Sequence, residues 1–517
     1  MLEGTISIDS PPEDRRAALE YLRAKHPRFV YDSFSVECAD NALRVHYRFR
    51  IEPDIEFTPE TIFEQVDVSR VQSLPNGALQ NLVFHLGLVE MLSYWKASCS
   101  PQVVVKAGRL DPEQIAWWRD LIEHGMGEFF FVNQIDFCDG NFVTIIPENQ
   151  RAGNWEQGIG HSKQLTGNRK QRIGKREQTT ANSLVLTSGG KDSVVTLELL
   201  REAGTRFDCL LLNPTEAAFA VARQALLRPG ARPREAREHS VVGGQAGCPG
   251  EFVVVRRPID PRLLELNAAG YLNGHTPFSA LLAFLGMTVA VLCGFSQLIV
   301  SNERSAEEAA VEFRGHPVNH QYSKSLRFET AFRDYSQKYL TPFIPPIEYF
   351  SLLRPLYELQ IAALFANYPQ YFPLFRSCNR GAPTNSWCGH CPKCLFVFLI
   401  LCPFLKREQL LGIFGEDLLA WPGAFDVLRA LLGLDRDKPF ECVGTKEETR
   451  AALYLCIEAY RNQGIELPPA LQALEQTILS SHSDLPKLAR GILTAWTFQH
   501  YIPSDLAELL RQKVTRG

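Results

Sequence analysis

The chain lacks a charge excess of either sign. Its 54 lysines and arginines stand against 58 aspartates and glutamates, a formal net charge of −4, with an isoelectric point near 6.3. This excludes a global basic surface built for nucleic acid or an anionic membrane, and leaves only local patches to consider. Glycine and proline, at 35 and 32 of 517 residues, are in no excess, which argues against a collagenous or largely disordered chain. The start, MLEGTISIDSPPEDRRAALEYL, has no apolar segment behind a basic one, so no secretory signal is expected. Long apolar runs are scarce as well. PFSALLAFLGMTVAVLCGF (277–295) approaches the roughly 20 residues of a membrane span. It holds two glycines and runs at once into strand-like QLIVS, which suits a buried core helix better. CLFVFLILCPFL (394–405) is too short. No membrane partner and no internal repeat are expected.

What is present is a soluble composition, 45% hydrophobic and 22% charged, in a chain long enough for three or four domains with sizeable cores. Thirteen cysteines, odd in number and mostly scattered, read as reduced thiols with one metal cluster, which places the chain in the cytoplasm.

Residues 1–150 pattern as an α+β unit. VYDSFSVEC and LRVHYRFRI alternate as strands, LDPEQIAWWRDLIEHGM and LQNLVFHLGLVEMLSYWKA read as helices, and EFFFVNQIDF reads as a strand. Residues 151–180 are polar and basic, with Lys163, Arg169, Lys170, Arg172, Lys175 and Arg176, and suit a linker or a flap over an anionic substrate. From 181 to 405 apolar strands alternate with helices: SLVLT, FDCLLLN, FVVVRR and QLIVS, the last followed by a helix at 305–310. That alternation predicts an α/β fold with a doubly wound parallel sheet. Residues 228–250 interrupt it as an irregular insertion, and 406–517 pattern as a helical tail.

The sharpest motif is Ser188-Gly189-Gly190-Lys191-Asp192-Ser193, between strand SLVLT and a helix. Backbone N–H groups at a helix N-terminus, uncluttered at two glycines, cradle phosphate oxygens. Ser188 and Ser193 add hydroxyls, Lys191 a positive charge, and Asp192 a Mg²⁺ ligand or helix cap. The alternative is a ligand-free strand–helix turn. Gly274-His275-Thr276 precedes the long apolar helix, where His275 is either a nucleotide contact or a structural histidine. Cys378, Cys388, Cys391 and Cys394 form C-x9-C-x2-C-x2-C, in which four thiolates match a structural Zn²⁺. An iron–sulfur cluster uses the same ligands. The other nine cysteines read as small core residues.

SGGKDS resembles the phosphate loop of the PP-loop ATP pyrophosphatase superfamily. That resemblance implies a HUP-like domain that cleaves ATP between its α and β phosphates. With the cysteine spacing, it also resembles 7-cyano-7-deazaguanine synthase. SNERSAEEA (301–309), GHPVNHQYSKS (315–325), YFSLLRPLYELQIA (349–362) and CNRG…WCGHCPKCLFVFLIL (378–401) are closer to the MurL family. The MurL resemblance implies an ATP-dependent epimerase that converts the terminal L-glutamate of UDP-N-acetylmuramoyl-L-alanyl-L-glutamate, a peptidoglycan precursor, to D-glutamate. ATP, Mg²⁺ and a structural Zn²⁺ are the cofactors so implied, and the partner is a small molecule.

For the proton exchange, Glu303, His316, His320 and Lys324 are the candidate acid–base groups, lying after the fourth strand where ligands bind in such sheets. Asn302, Arg304, Tyr322, Arg354 and Arg380 are candidate substrate contacts, with the arginines as carboxylate or phosphate clamps or as structural ion-pair partners. Two rival functions remain at this level: a PP-loop ligase acting on a nucleobase or tRNA, and a regulatory module that holds ATP without turnover.

Overall fold

The structure is a computed structural model that describes residues 10–138, 140, 142–148, 182–227, 252–342, 344–434, 437–481 and 484–516. The basic stretch at 151–180 and the insertion at 228–250 lie outside these residues.

In chain order the strands are β1 (Arg28–Ala39), β2 (Ala42–Ile51), β3 (Ile55–Phe57), β4 (Glu60–Phe63), β5 (Gln102–Val105), β6 (Thr144–Pro147), β7 (Ser183–Leu186), β8 (Phe207–Leu212), β9 (Phe252–Arg256), β10 (Gln297–Val300), β11 (Val311–Phe313), β12 (His316–Val318) and β13 (Glu348–Ser351). Eleven of them form one sheet in the order β13-β10-β7-β8-β9-β4-β2-β1-β5-β6, with β3 paired to β2. The pair β11–β12 stands apart as a hairpin. The five strands β13, β10, β7, β8 and β9 run parallel. Chain order reverses between β7 and β10, so the SGGKDS loop after β7 opens at a topological switch point, where such sheets bind ligands.

The first 150 residues share this sheet. β4 pairs antiparallel to β9, with Ile62 opposite Arg256 and Phe63 opposite Val255. A buried ion pair reinforces the seam: Arg257 Nε meets Glu90 Oε2 at 2.5 Å and Arg257 Nη2 donates to Ser93 Oγ at 2.8 Å.

Alternation along the parallel strands feeds two cores, one on each face. Leu184, Leu210, Leu298 and Tyr349 point into a core shared with the N-terminal unit and the helix Phe278–Cys293. Val185, Leu211, Ile299 and Phe350 point into the other, closed by the helices Glu358–Phe365, Pro392–Leu401 and Lys446–Asn462. The C-terminal helices therefore cover a face of the sheet rather than trailing from it. Both apolar runs are buried core helices, and no helix among the described residues is long and apolar enough to cross a membrane.

Three local expectations are corrected. EFFFVNQIDF is not a strand: Gly127–Val132 is a helix that buries Phe129 and Phe130, because a short apolar run carries no periodicity to separate the two states. The helix expected at 305–310 is a single 3-10 turn, Arg304–Glu307, running into the hairpin. LPKLARGILTAWTFQHYI, whose apolar spacing reads as one helix of the 406–517 region, is helical only to Leu493.

The helix Ala78–Glu90 lies close on β1 and β2 at Gly87, where an added Cβ would sit 2.0 Å from Tyr31 Oη and 2.8 Å from Tyr47 Cε1. On an exposed helix, Gly→Ala gains about 1 kcal/mol. Here overpacking against two buried rings reverses the sign. Gly87→Ala should destabilise the chain by about 1–3 kcal/mol, read as a lower urea midpoint with unchanged slope.

Candidate active site

The helix Lys191–Glu202 begins at Gly190 with no side-chain cap, so its first N–H groups face the turn unclaimed by a side-chain oxygen. The loop before it is pinned at both serines. Ser188 N–H donates to Ser193 Oγ at 2.9 Å, and the two hydroxyls lie 3.1 Å apart. A Cβ on Gly189 would meet Ala217 Cβ at 2.6 Å and its carbonyl carbon at 3.0 Å, so that position requires glycine, whereas one on Gly190 would first meet the Ser377 hydroxyl, at 2.9 Å. Arg376 N–H donates to the Gly189 carbonyl at 2.7 Å. The segment leading into the cysteine cluster is thus docked on the loop.

Beside the loop, Asp192, Glu303 and Glu358 bring carboxylate oxygens within 4.8 Å of one another. They come from the carboxyl ends of β7, β10 and β13. Lys191 Nζ contacts Asp192 at 2.5 Å and also Glu358, and burial does not discharge it, because these two carboxylates hold its pKa up. Burial pushes the Glu358 carboxyl up to about 8 against the pull of Lys191. Glu303 Oε2 is buried and has no hydrogen-bond partner. Three hard oxygen donors with one unpartnered suit a divalent cation such as Mg²⁺. Lys324 continues the line, with Nζ 4.0 Å from Glu303 Oε1 and 3.2 Å from Gln321 Oε1.

A second cluster joins the N-terminal unit to the sheet. His320 Nδ1 hydrogen-bonds Glu128, and His275 Nδ1 lies 3.5 Å from the same carboxylate. The two imidazoles are 4.6 Å apart and titrate in opposite directions. Burial, then the charge on His320, brings His275 down to about 4. His320 is also buried, but hydrogen bonds to Cys442 and Glu128 raise it to about 9. One ring is neutral and the other charged at neutral pH, a division that suits acid–base work. Glu128, Glu358 and Cys442 were not identified from the sequence. Glu128 and Cys442 come from segments far from both the loop and the candidate region, and no local motif marks them, whereas Glu358 lies within YFSLLRPLYELQIA (349–362) but was not singled out. Cys442 belongs to this cluster rather than to a core.

The other sequence candidates are placed differently. Arg354 is fully buried and its guanidinium is committed. It donates to both Glu329 Oε2 (3.1 and 3.2 Å) and Glu307 Oε1 (3.1 Å), to the carbonyl of Glu303 (2.9 Å) and to that of Lys324. It positions the two turns that carry Glu303 and Lys324. Asn302 Nδ2 donates to Ser351 Oγ at 3.2 Å. Arg304 lies over the Tyr357 ring at 4.6 Å. Tyr322 donates to Asp120 at 2.6 Å, toward the helix Pro112–Gly125. His316 on β12 and Arg380 are exposed, and His316 packs on Phe137. Gly274 accepts from Lys96 at 2.8 Å, and Thr276 closes the turn onto Phe278.

The four cysteines converge, with Sγ atoms within 4.8 Å of one another: Cys391–Cys394 at 3.4 Å, Cys388–Cys394 at 3.8 Å and Cys378–Cys391 at 4.0 Å. Bonds of about 2.3 Å to a tetrahedral metal imply sulfur–sulfur edges of about 3.8 Å, so the set fits such an ion. Among the described residues Cys38 is exposed, whereas Cys99, Cys209, Cys402 and Cys456 are buried as core thiols.

Glu329→Gln tests the positioning role of Arg354. Removing one partner of a buried charge costs about 3–5 kcal/mol. The variant should lose stability on that scale in urea, while the conservative Asn302→Ser should cost far less.

A family model described as the MurL N-terminal domain matches residues 21–235 and 242–352, and one described as the MurL C-terminal domain matches 374–483. A protein of Micromonospora sp., named UDP-N-acetyl-alpha-D-muramoyl-L-alanyl-L-glutamate epimerase, is 31% identical over 491 residues, covering 94% of this chain and 98% of its own. Proteins of the same name from Xanthomonas oryzae pv. oryzae and Salinispora tropica are 33% and 35% identical, covering 73% and 72% of this chain and 74% and 72% of theirs. No solved structure matches. With both family domains matched in order, and a relative aligned over nearly its full length, the chain belongs to the MurL family of epimerases.

Proposed function

We propose that this enzyme inverts the terminal L-glutamate of UDP-N-acetyl-α-D-muramoyl-L-alanyl-L-glutamate, at the expense of ATP. The observation that carries the reading is the alignment to a relative so named over 94% of the chain. The site gives it a chemistry. A carboxylate resists loss of its own α-hydrogen, because the carbanion would form beside an existing negative charge. Joining the glutamate α-carboxylate to AMP removes that charge and lets the acyl carbonyl take up the electron pair. The adenylate also commits the product, since water then releases D-glutamate, AMP and diphosphate.

Within that scheme Ser188–Ser193 hold the phosphates through uncapped helix N–H groups, as in a PP-loop domain over 181–405. Mg²⁺, held by Asp192 with Glu303 and Glu358, would offset phosphate charge. The α-hydrogen is handled at the far end of the polar line, in the region of His320 and Lys324. The Cys378–Cys388–Cys391–Cys394 set suits a structural Zn²⁺ that anchors the 376–378 segment on the loop. A UDP-linked precursor places the reaction in the cytoplasm.

Two outcomes are expected. With ATP and the UDP-linked dipeptide, His320→Gln should still release AMP but return the L-epimer, and the unmodified chain in D₂O should place deuterium at the α-carbon of the D product. Epimerisation that proceeds without ATP would remove the adenylation half of the scheme. Metal analysis should find about one zinc per chain, and Cys391→Ser should lose it and lower the melting temperature. A chain purified without chelator and free of both zinc and iron would refute the metal assignment.

A further inference from the structure

Cys442 lies in the connection between the helices Ala424–Leu432 and Lys446–Asn462. Its Sγ is 3.9 Å from His320 Nε2, while Nδ1 of the same ring is bonded to Glu128. Thiol, imidazole and carboxylate thus stand in the order that lets a ring take the thiol proton and a carboxylate hold the resulting cation. The three residues come from three distant parts of the chain. Lys324, whose ammonium lies 4.0 Å from Glu303 Oε1, is near enough for its charge to act on the sulfur. The buried, unpartnered Glu303 Oε2 keeps the polar line open there.

We propose that Cys442 Sγ carries the α-hydrogen of the glutamate, with His320 and Glu128 positioning it and Lys324 as the acid on the opposite face. The proposal rests on the epimerase reading above. In the L-to-D direction the Cα–H bond breaks and its proton passes to the thiolate. The electron pair moves onto the acyl carbonyl, and a new C–H bond forms on the other face with a proton from the Lys324 ammonium. Exchange with solvent then returns a proton to Lys324 and takes one from the thiol. No oxidant or additional reactant is consumed.

The electrostatics agree with this geometry. Burial pushes the Cys442 thiol up, but Lys324, Lys393 and the His320 hydrogen bond outweigh it and bring it down to about 6. The neighbouring Glu441 carboxyl is itself raised by burial. The buried thiols of Cys99 and Cys456 behave in the opposite way, burial raising both, Cys99 to about 12. Cys442 is also only partly buried, so a substrate atom can reach it.

The test uses full-length Cys442→Ser and Cys442→Ala with ATP and the UDP-linked dipeptide. AMP release should stay within about threefold of the parent, while D-epimer formation and α-deuterium uptake in D₂O should both fall at least a hundredfold. Parent-like epimerisation by Cys442→Ala overturns the proposal. So does equal loss of AMP release and epimerisation in a variant with the parent's melting curve, which would assign Cys442 to the adenylation step. An acyl group found on Cys442 by peptide mass also overturns it, as the sulfur would then be a nucleophile. Should both variants fail to fold, iodoacetamide alkylation of the parent, mapped to Cys442, supplies the same comparison. A parent that releases AMP but leaves the L-epimer unchanged, with no α-exchange, refutes the epimerase reading and is thereby distinguished from failure of the cysteine assignment.

Discussion

The edge of the sheet that carries the candidate site depends on one buried cation whose donors are taken up by the protein itself. Arg354 has its guanidinium in the protein interior, and its donors reach Glu329, Glu307, the Glu303 carbonyl and the Lys324 carbonyl. A guanidinium stripped of water is tolerable only when its fork is filled. Filling it fixes the turn after β10 relative to the turn before the helix Leu326–Tyr335. Those two turns carry Glu303 and Lys324, so the spacing between the carboxylate cluster and the histidine cluster is set from beneath by an ion pair.

Charge balance explains why that spacing matters. Three carboxylates and Lys191 crowd the SGGKDS loop, and two imidazoles share Glu128 at the other end. Lys324 is the cation between them. A shift of the Lys324 turn away from Glu303 would leave a buried carboxylate uncompensated and weaken the field on Cys442 at once. The two halves of the site are therefore electrostatically coupled through one ammonium, although they sit on different elements.

Much of this was legible in the sequence, for definite reasons. The strand–SGGKDS–helix unit could be read because glycine at a close backbone approach and period-2 apolar alternation leave local marks, and Gly189 against Ala217 shows the constraint. The cysteine set could be read because its spacing is itself the geometry. What could not be read was long-range. Glu128 rides on a short helix whose run of phenylalanines imitates a strand. The helix Glu358–Phe365 shows only a buried apolar pattern in which Glu358 looks like any N-terminal acid. Cys442 has no neighbour in sequence that shares its role. Arg354 showed as a cation, yet whether it would meet solvent, ligand or Glu329 was decided by the β13–β10 pairing.

That distribution bears on how the enzyme becomes active. The phosphate loop and Glu303 belong to the parallel strands, Glu128 to the N-terminal unit, and Cys442 to the helical region that closes the opposite core. The N-terminal unit enters the same sheet through β4 and β9, and the C-terminal helices close the face behind β7, β8, β10 and β13. Neither region is an accessory to a self-sufficient catalytic domain. A chain lacking either would keep the phosphate loop's local sequence but lose one member of the Cys442–His320–Glu128 set. The cost of gathering nine ionisable groups in a largely buried site is offset by two apolar cores on opposite faces of one sheet, so the arrangement depends on the whole fold being complete.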